Sequence, residues 1–175
     1  MTQAFDSNIP LPRVSFVLGG ARSGKSALAE KLIEAAGGGI YLATGEARDA
    51  EMTARIARHQ ARRGTLWRTV ESPVDLVGPL SREPRPILID CLTLWLANLM
   101  EQGADLEIER RRLTDCLTAT EGPVVLIANE VGLGIVPDNA LARRFRDAAG
   151  RLNQQIAACS DQVIFVAAGL PLRFK

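Results

Sequence analysis

Gly19-Gly20-Ala21-Arg22-Ser23-Gly24-Lys25-Ser26 fills every position of the pattern G-x-x-x-x-G-K-[ST], and no other feature of the chain constrains its fold as tightly. Such a loop binds an anion only when it joins a buried strand to the first turn of a helix. There the backbone N–H groups converge on one point and the helix end adds partial positive charge. The flanking residues have the right character. Residues 14–18 (VSFVL) form a short aliphatic run, and residues 26–36 (SALAEKLIEAA) are compatible with a helix. The alternative, a chance glycine turn, leaves both flanks without explanation. The loop chemistry then gives Lys25 the β and γ phosphates of a nucleotide and Ser26 a hydroxyl for Mg2+.

Further aliphatic runs occur at residues 40–43, 87–89, 124–128 and 163–167, each nearly continuous in apolar character, as expected of strands buried on both faces of a parallel sheet. Longer segments with helical spacing lie between them. Leu141, Phe145, Ala148, Leu152, Ile156 and Cys159 mark one face of a helix. Residues 46–63 also read as a helix, followed by a possible strand at 66–70, and two more helical segments span 92–100 and 106–118. Pro84, Pro86 and Gly122-Pro123 punctuate turns before strands. The alternation implies an α/β fold: a single P-loop NTPase-like domain over residues 14–175, with a mostly parallel sheet flanked by helices. Residues 1–13 are expected to form a flexible N-terminal extension. A chain of 175 residues that is 47% apolar can build one such core.

Composition excludes several classes. Lys and Arg total 21 against 20 acidic residues, so the net charge of +1 gives no global reason to expect nucleic acid or an acidic membrane as partner. No apolar run approaches the roughly 18 residues of a membrane span, and the N-terminus has no signal-like apolar stretch. Cys91, Cys116 and Cys159 are odd in number and form no C-x-x-C pair, which fits a reducing compartment and a cytoplasmic protein.

Two positions outside the loop carry candidate chemistry. Asp90 ends the run Pro-Ile-Leu-Ile-Asp and so emerges at the carboxyl end of a buried strand, where open α/β sheets bind ligands. It can hold a metal, or cap the helix that begins near Leu92. His59 is the only histidine, on a helical stripe with Met52, Ile56 and Arg63. Spacing alone favours a partly buried structural imidazole. Its setting argues for chemistry: Arg48, Arg55, Arg58, Arg62, Arg63 and Arg68 stand against Asp49 and Glu51 in the same stretch. Arginine forks suit phosphate oxygens, although a solvated basic face explains any single one of them. Glu130, in NEVGLGIVP, could touch a substrate or simply belong to a loop whose Pro137 and Asp138 start the next helix.

In combination these residues resemble the bifunctional adenosylcobinamide kinase / adenosylcobinamide-phosphate guanylyltransferase family of cobalamin biosynthesis. The resemblance runs from Val14 to Lys175. It is carried by GGARSGKS, YLAT (41–44), EMTARIARHQARR (51–63), WRTVE (67–71), LIDCLTLWLANLM (88–100), NEVGLGIVP (129–137), RRFRDAAGRLNQQIA (143–157) and VIFVAAGLPL (163–172). Gly64 departs from it, standing where the family has a proline.

The resemblance implies an enzyme that phosphorylates adenosylcobinamide with ATP or GTP and then transfers GMP from GTP, giving adenosylcobinamide-GDP. It makes His59, within Arg55-Ile56-Ala57-Arg58-His59, the residue that carries GMP covalently, with Lys25 as the other catalytic residue. It extends the nucleotide contacts from residues 19–26 to Thr44, Gly45, Glu46, Arg62, Arg63, Glu71 and Asp90, while the loop motif and the strand-end carboxylate give Ser26 and Asp90 as the Mg2+ ligands. The corrinoid is then the substrate, and a homotrimer the assembly. Two rival readings remain at this point: a plain P-loop kinase in which His59 is structural, and a nucleotide-gated binding module.

Overall fold

Each aliphatic run becomes a strand, and the strands assemble into one sheet. The computed structural model describes residues 11–46 and 64–175. Among the described residues the order is β1 (Val14–Gly19), α1 (Lys25–Ala35), β2 (Gly39–Ala43), β3 (Trp67–Glu71), α2 (Val77–Arg82), β4 (Ile87–Asp90), α3 (Leu92–Glu101), α4 (Leu106–Ala119), β5 (Val124–Asn129), α5 (Ala140–Cys159), β6 (Gln162–Ala167) and β7 (Leu170–Arg173). The helix expected over 46–63 lies, apart from Glu46, outside the described residues. So does the expected extension up to residue 10. Leu11 packs on the core, and Arg13 donates to the Leu117 carbonyl at 2.6 Å.

The sheet has seven strands in the order β3-β2-β4-β5-β1-β6-β7. β1 is parallel to both β5 and β6, β2 is parallel to β3 and β4, and β4 is parallel to β5. Only β7 runs antiparallel, as an edge strand on β6. Both faces of the central strands are covered, which is why they read as continuous apolar runs. Successive side chains point to opposite faces, so Val124, Leu126 and Ala128 join Phe16, Trp95, Leu113 and Leu152 on one side, and Val125 and Ile127 join Val17, Ala29 and Ile33 on the side of α1.

Three differences from the sequence expectations have physical reasons. β3 begins at Trp67, one residue later than expected. α2 is too short for any periodicity to show. β7 went unanticipated because Pro171 interrupts its run, and an edge position is where a strand tolerates a residue with no N–H.

Helix starts follow side-chain chemistry. The Asp105 carboxylate accepts from the Glu107 and Ile108 N–H groups at 2.9 and 3.2 Å, capping α4. Asn139 caps α5 by accepting from Ala142 N–H at 2.7 Å, while the carbonyls of Pro137 and Asp138 receive the Arg143 guanidinium. The start expected at Pro137 and Asp138 therefore falls slightly later. Asp105→Ala should lower the free energy of unfolding by about 1 kcal/mol. In urea denaturation this appears as a lower midpoint with an unchanged slope.

Candidate active site

The phosphate loop leaves β1 between β5 and β6 and is held from both sides. Glu130 N–H donates to the Gly19 carbonyl at 3.0 Å from the β5 side, and Gly169 N–H, in the turn between β6 and β7, donates to the Ser23 carbonyl at 2.8 Å. Within the loop Ser23 N–H donates to the Gly20 carbonyl at 3.3 Å. Lys25 is buried, and its Nζ donates to that same carbonyl at 2.9 Å. Two glycines are dictated by space and backbone. A Cβ on Gly19 would stand 2.4 Å from the Val166 carbonyl oxygen, and Gly24 adopts φ of +100° with its Cβ position 3.2 Å from Gly169 Cα. Gly24 directly precedes α1, whose first-turn N–H groups have no intrahelical acceptors. Ser23 Oγ is buried without a hydrogen-bond partner, a donor inside the loop that a bound anion would satisfy. Arg22 and Ala21 are exposed, and Ser26 is half-buried.

Asp90 lies on the same side of the sheet as this loop. It pairs with Ile127, which pairs in turn with Val17, and Leu88, two residues before it, packs with the α1 cluster. With β5 intervening, β4 and β1 are two strand spacings apart, about 10 Å. The Asp90 side chain does not cap α3. Cys91 occupies that position with no side-chain cap, and the Asp90 carboxylate instead accepts from the Tyr41 hydroxyl.

Thr44 is fully buried and braces the strand ends. Its N–H donates to the Asp90 carbonyl at 3.1 Å, and its hydroxyl both donates to the Cys91 carbonyl and accepts from Cys91 N–H, each at 2.8 Å. Asn98 Nδ2 donates to the Thr44 and Pro73 carbonyls at 2.9 Å each, and Thr93 Oγ1 accepts from Asn129 N–H at 2.7 Å. Both donors of Thr44 are thus engaged in holding β2 against β4 and α3. Gly45 and Glu46 follow at the carboxyl edge, half-buried and exposed, and Glu71 is exposed at the end of β3, paired in register with Ala43. His59, Arg62 and Arg63 lie outside the described residues. Glu130 accepts from Gly132 N–H within its own loop. Burial, and then the charge of Asp90, push the Cys91 thiol up to about 11, so it is protonated at neutral pH and is no nucleophile.

Sequence reasoning missed Tyr41, Asn98, Thr93 and the Ala168-Gly169 turn. Asn98 left a signal, a lone amide within the apolar stretch LTLWLANLM. Gly169 left a weaker one, a glycine before a short run at the end of β6.

Comparison with known proteins settles which family has this arrangement. A family model described as cobinamide kinase / cobinamide phosphate guanyltransferase matches residues 15–174. The chain belongs to this family. The bifunctional adenosylcobalamin biosynthesis protein CobP of Pseudomonas aeruginosa is 48% identical over 165 residues, covering 91% of this chain and 95% of that protein. The corresponding protein CobU of Salmonella typhimurium is 41% identical over 179 residues, covering 91% and 98%. Among solved structures, the flagellar accessory protein FlaH of Methanocaldococcus jannaschii superimposes with a TM-score of 0.52 at 12% identity, covering 95% of this chain and 80% of that one. An ATPase from a type III secretion system gives 0.51 at 13% identity, covering 89% and 51%. These two likenesses concern the fold, that of a P-loop NTPase. As a cobinamide kinase / cobinamide phosphate guanyltransferase, the chain is a bifunctional transferase of adenosylcobalamin biosynthesis.

The two loop glycines give a matched test. Nothing lies within 4 Å of a Cβ built on Gly20, whereas one on Gly19 meets backbone. Gly19→Ala should therefore weaken nucleotide binding by at least about tenfold, and Gly20→Ala by only a few-fold, in a fluorescent-nucleotide titration.

Proposed function

We propose that the chain phosphorylates the aminopropanol hydroxyl of adenosylcobinamide with ATP or GTP, and then attaches GMP from GTP to that phosphate through a covalent intermediate on His59. The reading is carried by one observation: a complete phosphate loop with a buried lysine, in a chain that the family model matches from residue 15 to 174. Residues 19–26 cradle the triphosphate. Lys25 turns from the Gly20 carbonyl to the β and γ phosphates, and Gly45, Glu46 and Glu71, at the carboxyl ends of β2 and β3, reach the nucleotide further along the same edge, with Arg62 and Arg63 adding charge. Thr44, fully buried with its N–H, hydroxyl and carbonyl all engaged, supports them as a brace.

In the kinase step the corrinoid hydroxyl attacks the γ phosphorus and the nucleoside diphosphate leaves. Positioning and charge neutralisation matter more here than a dedicated base. In the guanylyl step a neutral His59 ring nitrogen attacks the α phosphorus of GTP. A nitrogen–phosphorus bond forms and the bond to pyrophosphate breaks. A phosphate oxygen of the corrinoid then attacks the same phosphorus, and the histidine leaves. Arg55, Arg58, Arg62 and Arg63, the neighbours of His59 in sequence, have the guanidinium forks that suit phosphate oxygens.

Ser26 and Asp90 would hold Mg2+, which when bound neutralises phosphate charge. The residues fit the ion. Asp90 is half-buried on the α1 side of the sheet, and no group of three or more His, Cys, Asp or Glu side chains stands ready as a cage among the described residues. Mg2+ typically takes one or two protein oxygens, with phosphate and water completing its shell.

The assembly we propose is a homotrimer working in the cytoplasm, with a corrinoid and no nucleic acid as partner. Among the described residues no helix is long and apolar enough to cross a membrane, and all three cysteines are free. Leu133, Ile135 and Val136 after β5, Leu141 at the start of α5, Leu170 and Leu172 in β7, and Phe174 just after it are all exposed. Such apolar exposure marks an interaction surface. Light scattering should give three times the chain mass, and the double variant Ile135→Glu, Leu172→Glu should give a folded species of lower mass. A monomeric wild type overturns the trimer.

GTP labelled in the α or γ phosphate tests the mechanism. The denatured protein should retain α label only, lost in acid, stable in alkali and absent from His59→Ala, while γ-phosphate transfer to the corrinoid survives in that variant. A folded, nucleotide-binding chain that forms no adduct would return His59 to a structural role and leave a plain kinase or nucleotide sensor.

A further inference from the structure

The carboxylate at the end of β4 is held by the only tyrosine in the chain. Tyr41 and Ala43 pair with Leu88 and Asp90 across β2 and β4, so all four side chains project to the α1 face, and the Tyr41 ring rises to meet Asp90 one pair further along. Its hydroxyl donates to Asp90 Oδ2, whereas Oδ1 accepts no hydrogen bond from the described residues.

The ring itself has no freedom. Tyr41 is 4% exposed, packed in the cluster of Val17, Ala29, Ile33 and Leu88 beneath α1. Trp67 meets it edge to face, centroids 6.0 Å apart at 76°, and the Trp67 indole N–H donates to Glu34 Oε1 at 3.1 Å, tying β3 to α1. A phenol has two soft torsions, and burial fixes both. The hydroxyl is therefore delivered to one point by elements that also carry the phosphate loop.

Asp90 needs such a partner. It is half-buried, and α3 begins two residues later with no side-chain oxygen capping its first turn, where Leu94 N–H donates to the Cys91 carbonyl at 3.1 Å and the Leu92 and Thr93 N–H groups lie at the end that accepts a carboxylate. A carboxylate drawn onto those donors would be committed to the helix. We propose that Tyr41 is the positioning residue of the metal-holding carboxylate: its hydroxyl holds one oxygen of Asp90 and leaves the other for the Mg2+ that accompanies the nucleotide. This rests on Asp90 holding Mg2+, as proposed above, and the test separates the two.

Wild type, Tyr41→Phe and Asp90→Asn are compared as full chains. Mn2+ affinity is read from the paramagnetic resonance of free Mn2+ in the presence of a non-hydrolysable GTP analogue, and affinity for the analogue is measured separately without metal. Tyr41→Phe keeps the ring and removes only the hydroxyl. Losing a hydrogen bond to a charged group should weaken Mn2+ binding about tenfold, with metal-free nucleotide affinity unchanged.

Equal Mn2+ binding in Tyr41→Phe and wild type, with loss in Asp90→Asn, would make Tyr41 a core residue and overturn the proposal. Unchanged Mn2+ binding in Asp90→Asn would remove the metal reading of Asp90, and the proposal with it. Parallel loss of metal-free nucleotide binding in Tyr41→Phe would mean general distortion and also overturn it. A second measurement leaves the native side chains in place. Because Tyr41 is the only tyrosine, 3-fluorotyrosine incorporation gives a single fluorine resonance. Adding Mg2+ to the protein with bound analogue should shift that resonance in wild type and leave it in place in Asp90→Asn. An unmoved wild-type resonance counts against the coupling.

Discussion

The end of β1 lies so close to β6 that only a backbone can fit there. A side chain at Gly19 would meet the Val166 carbonyl at 2.4 Å, and one at Gly24 would crowd Gly169 Cα at 3.2 Å while forcing a left-handed backbone. This near-contact fixes where the loop turns and therefore where the first N–H groups of α1 point. The hydrogen bond from Gly169 to Ser23 at 2.8 Å makes the turn before β7 part of the same construction. An edge strand that looks peripheral thus supports the phosphate loop. Ala168 and Gly169, with φ of 51° and 78°, are the kind of pair a two-residue turn requires, because positive φ at both positions follows the twist of the flanking strands.

The two faces of the sheet have different tasks. The larger cluster under α3, α4 and α5 supplies most of the aliphatic burial, including Trp95, Leu96 and Leu99. The face under α1 has fewer apolar residues and carries Asp90 and Tyr41 at its upper rim. Between the faces, at the carboxyl edge, Thr44, Asn98 and Thr93 link strand ends that would otherwise leave backbone groups unpaired. Each such bond contributes about 1 kcal/mol net, whereas stranding a buried partner costs roughly 1–3 kcal/mol. That asymmetry explains polar side chains inside an apolar layer: they are there because the strand ends have carbonyls and N–H groups that no ladder reaches.

The fold was legible where pattern and physics coincide. Strands buried on both faces must be continuous apolar runs, so residues 14–18, 40–43, 87–89, 124–128 and 163–167 announced themselves, as did the helix through Phe145 and Ile156. The phosphate loop was legible because its glycines answer to close contacts that few other residues can make. Less was visible in β7, whose burial is slight and whose Pro171 reads as a break, and in α2, a six-residue helix containing Pro79. Asp90 was visible as a strand-end carboxylate, but its partner was not. Tyr41 looks like any other core aromatic until the register of β2 against β4 is known, because a hydrogen bond between strands is a fact of pairing and leaves no trace in local sequence. Thr44 shows the converse. The family resemblance pointed to it as a strand-end residue, but the engagement of both its donors left no mark in the sequence.

One phosphate loop serving two transfers, as proposed above, would be a chemical economy of this arrangement. In the proposed function the loop and Lys25 would grip the triphosphate without regard to which phosphorus reacts. What differs between phosphorylation and guanylylation is the nucleophile and the leaving group, not the charge that must be neutralised. A rigid cradle set by backbone contacts at Gly19 and Gly24 can therefore remain unchanged while the chemistry is chosen elsewhere. The segment carrying His59 leaves the sheet at the carboxyl end of β2, directly after the Thr44 brace, and β2 is also the strand that delivers Tyr41 to Asp90. A single strand thus connects the carboxylate that would hold the metal to the segment that would supply the nucleophile. Disturbing the pairing of β2 with β4 should weaken both reactions together, whereas a change at His59 separates them.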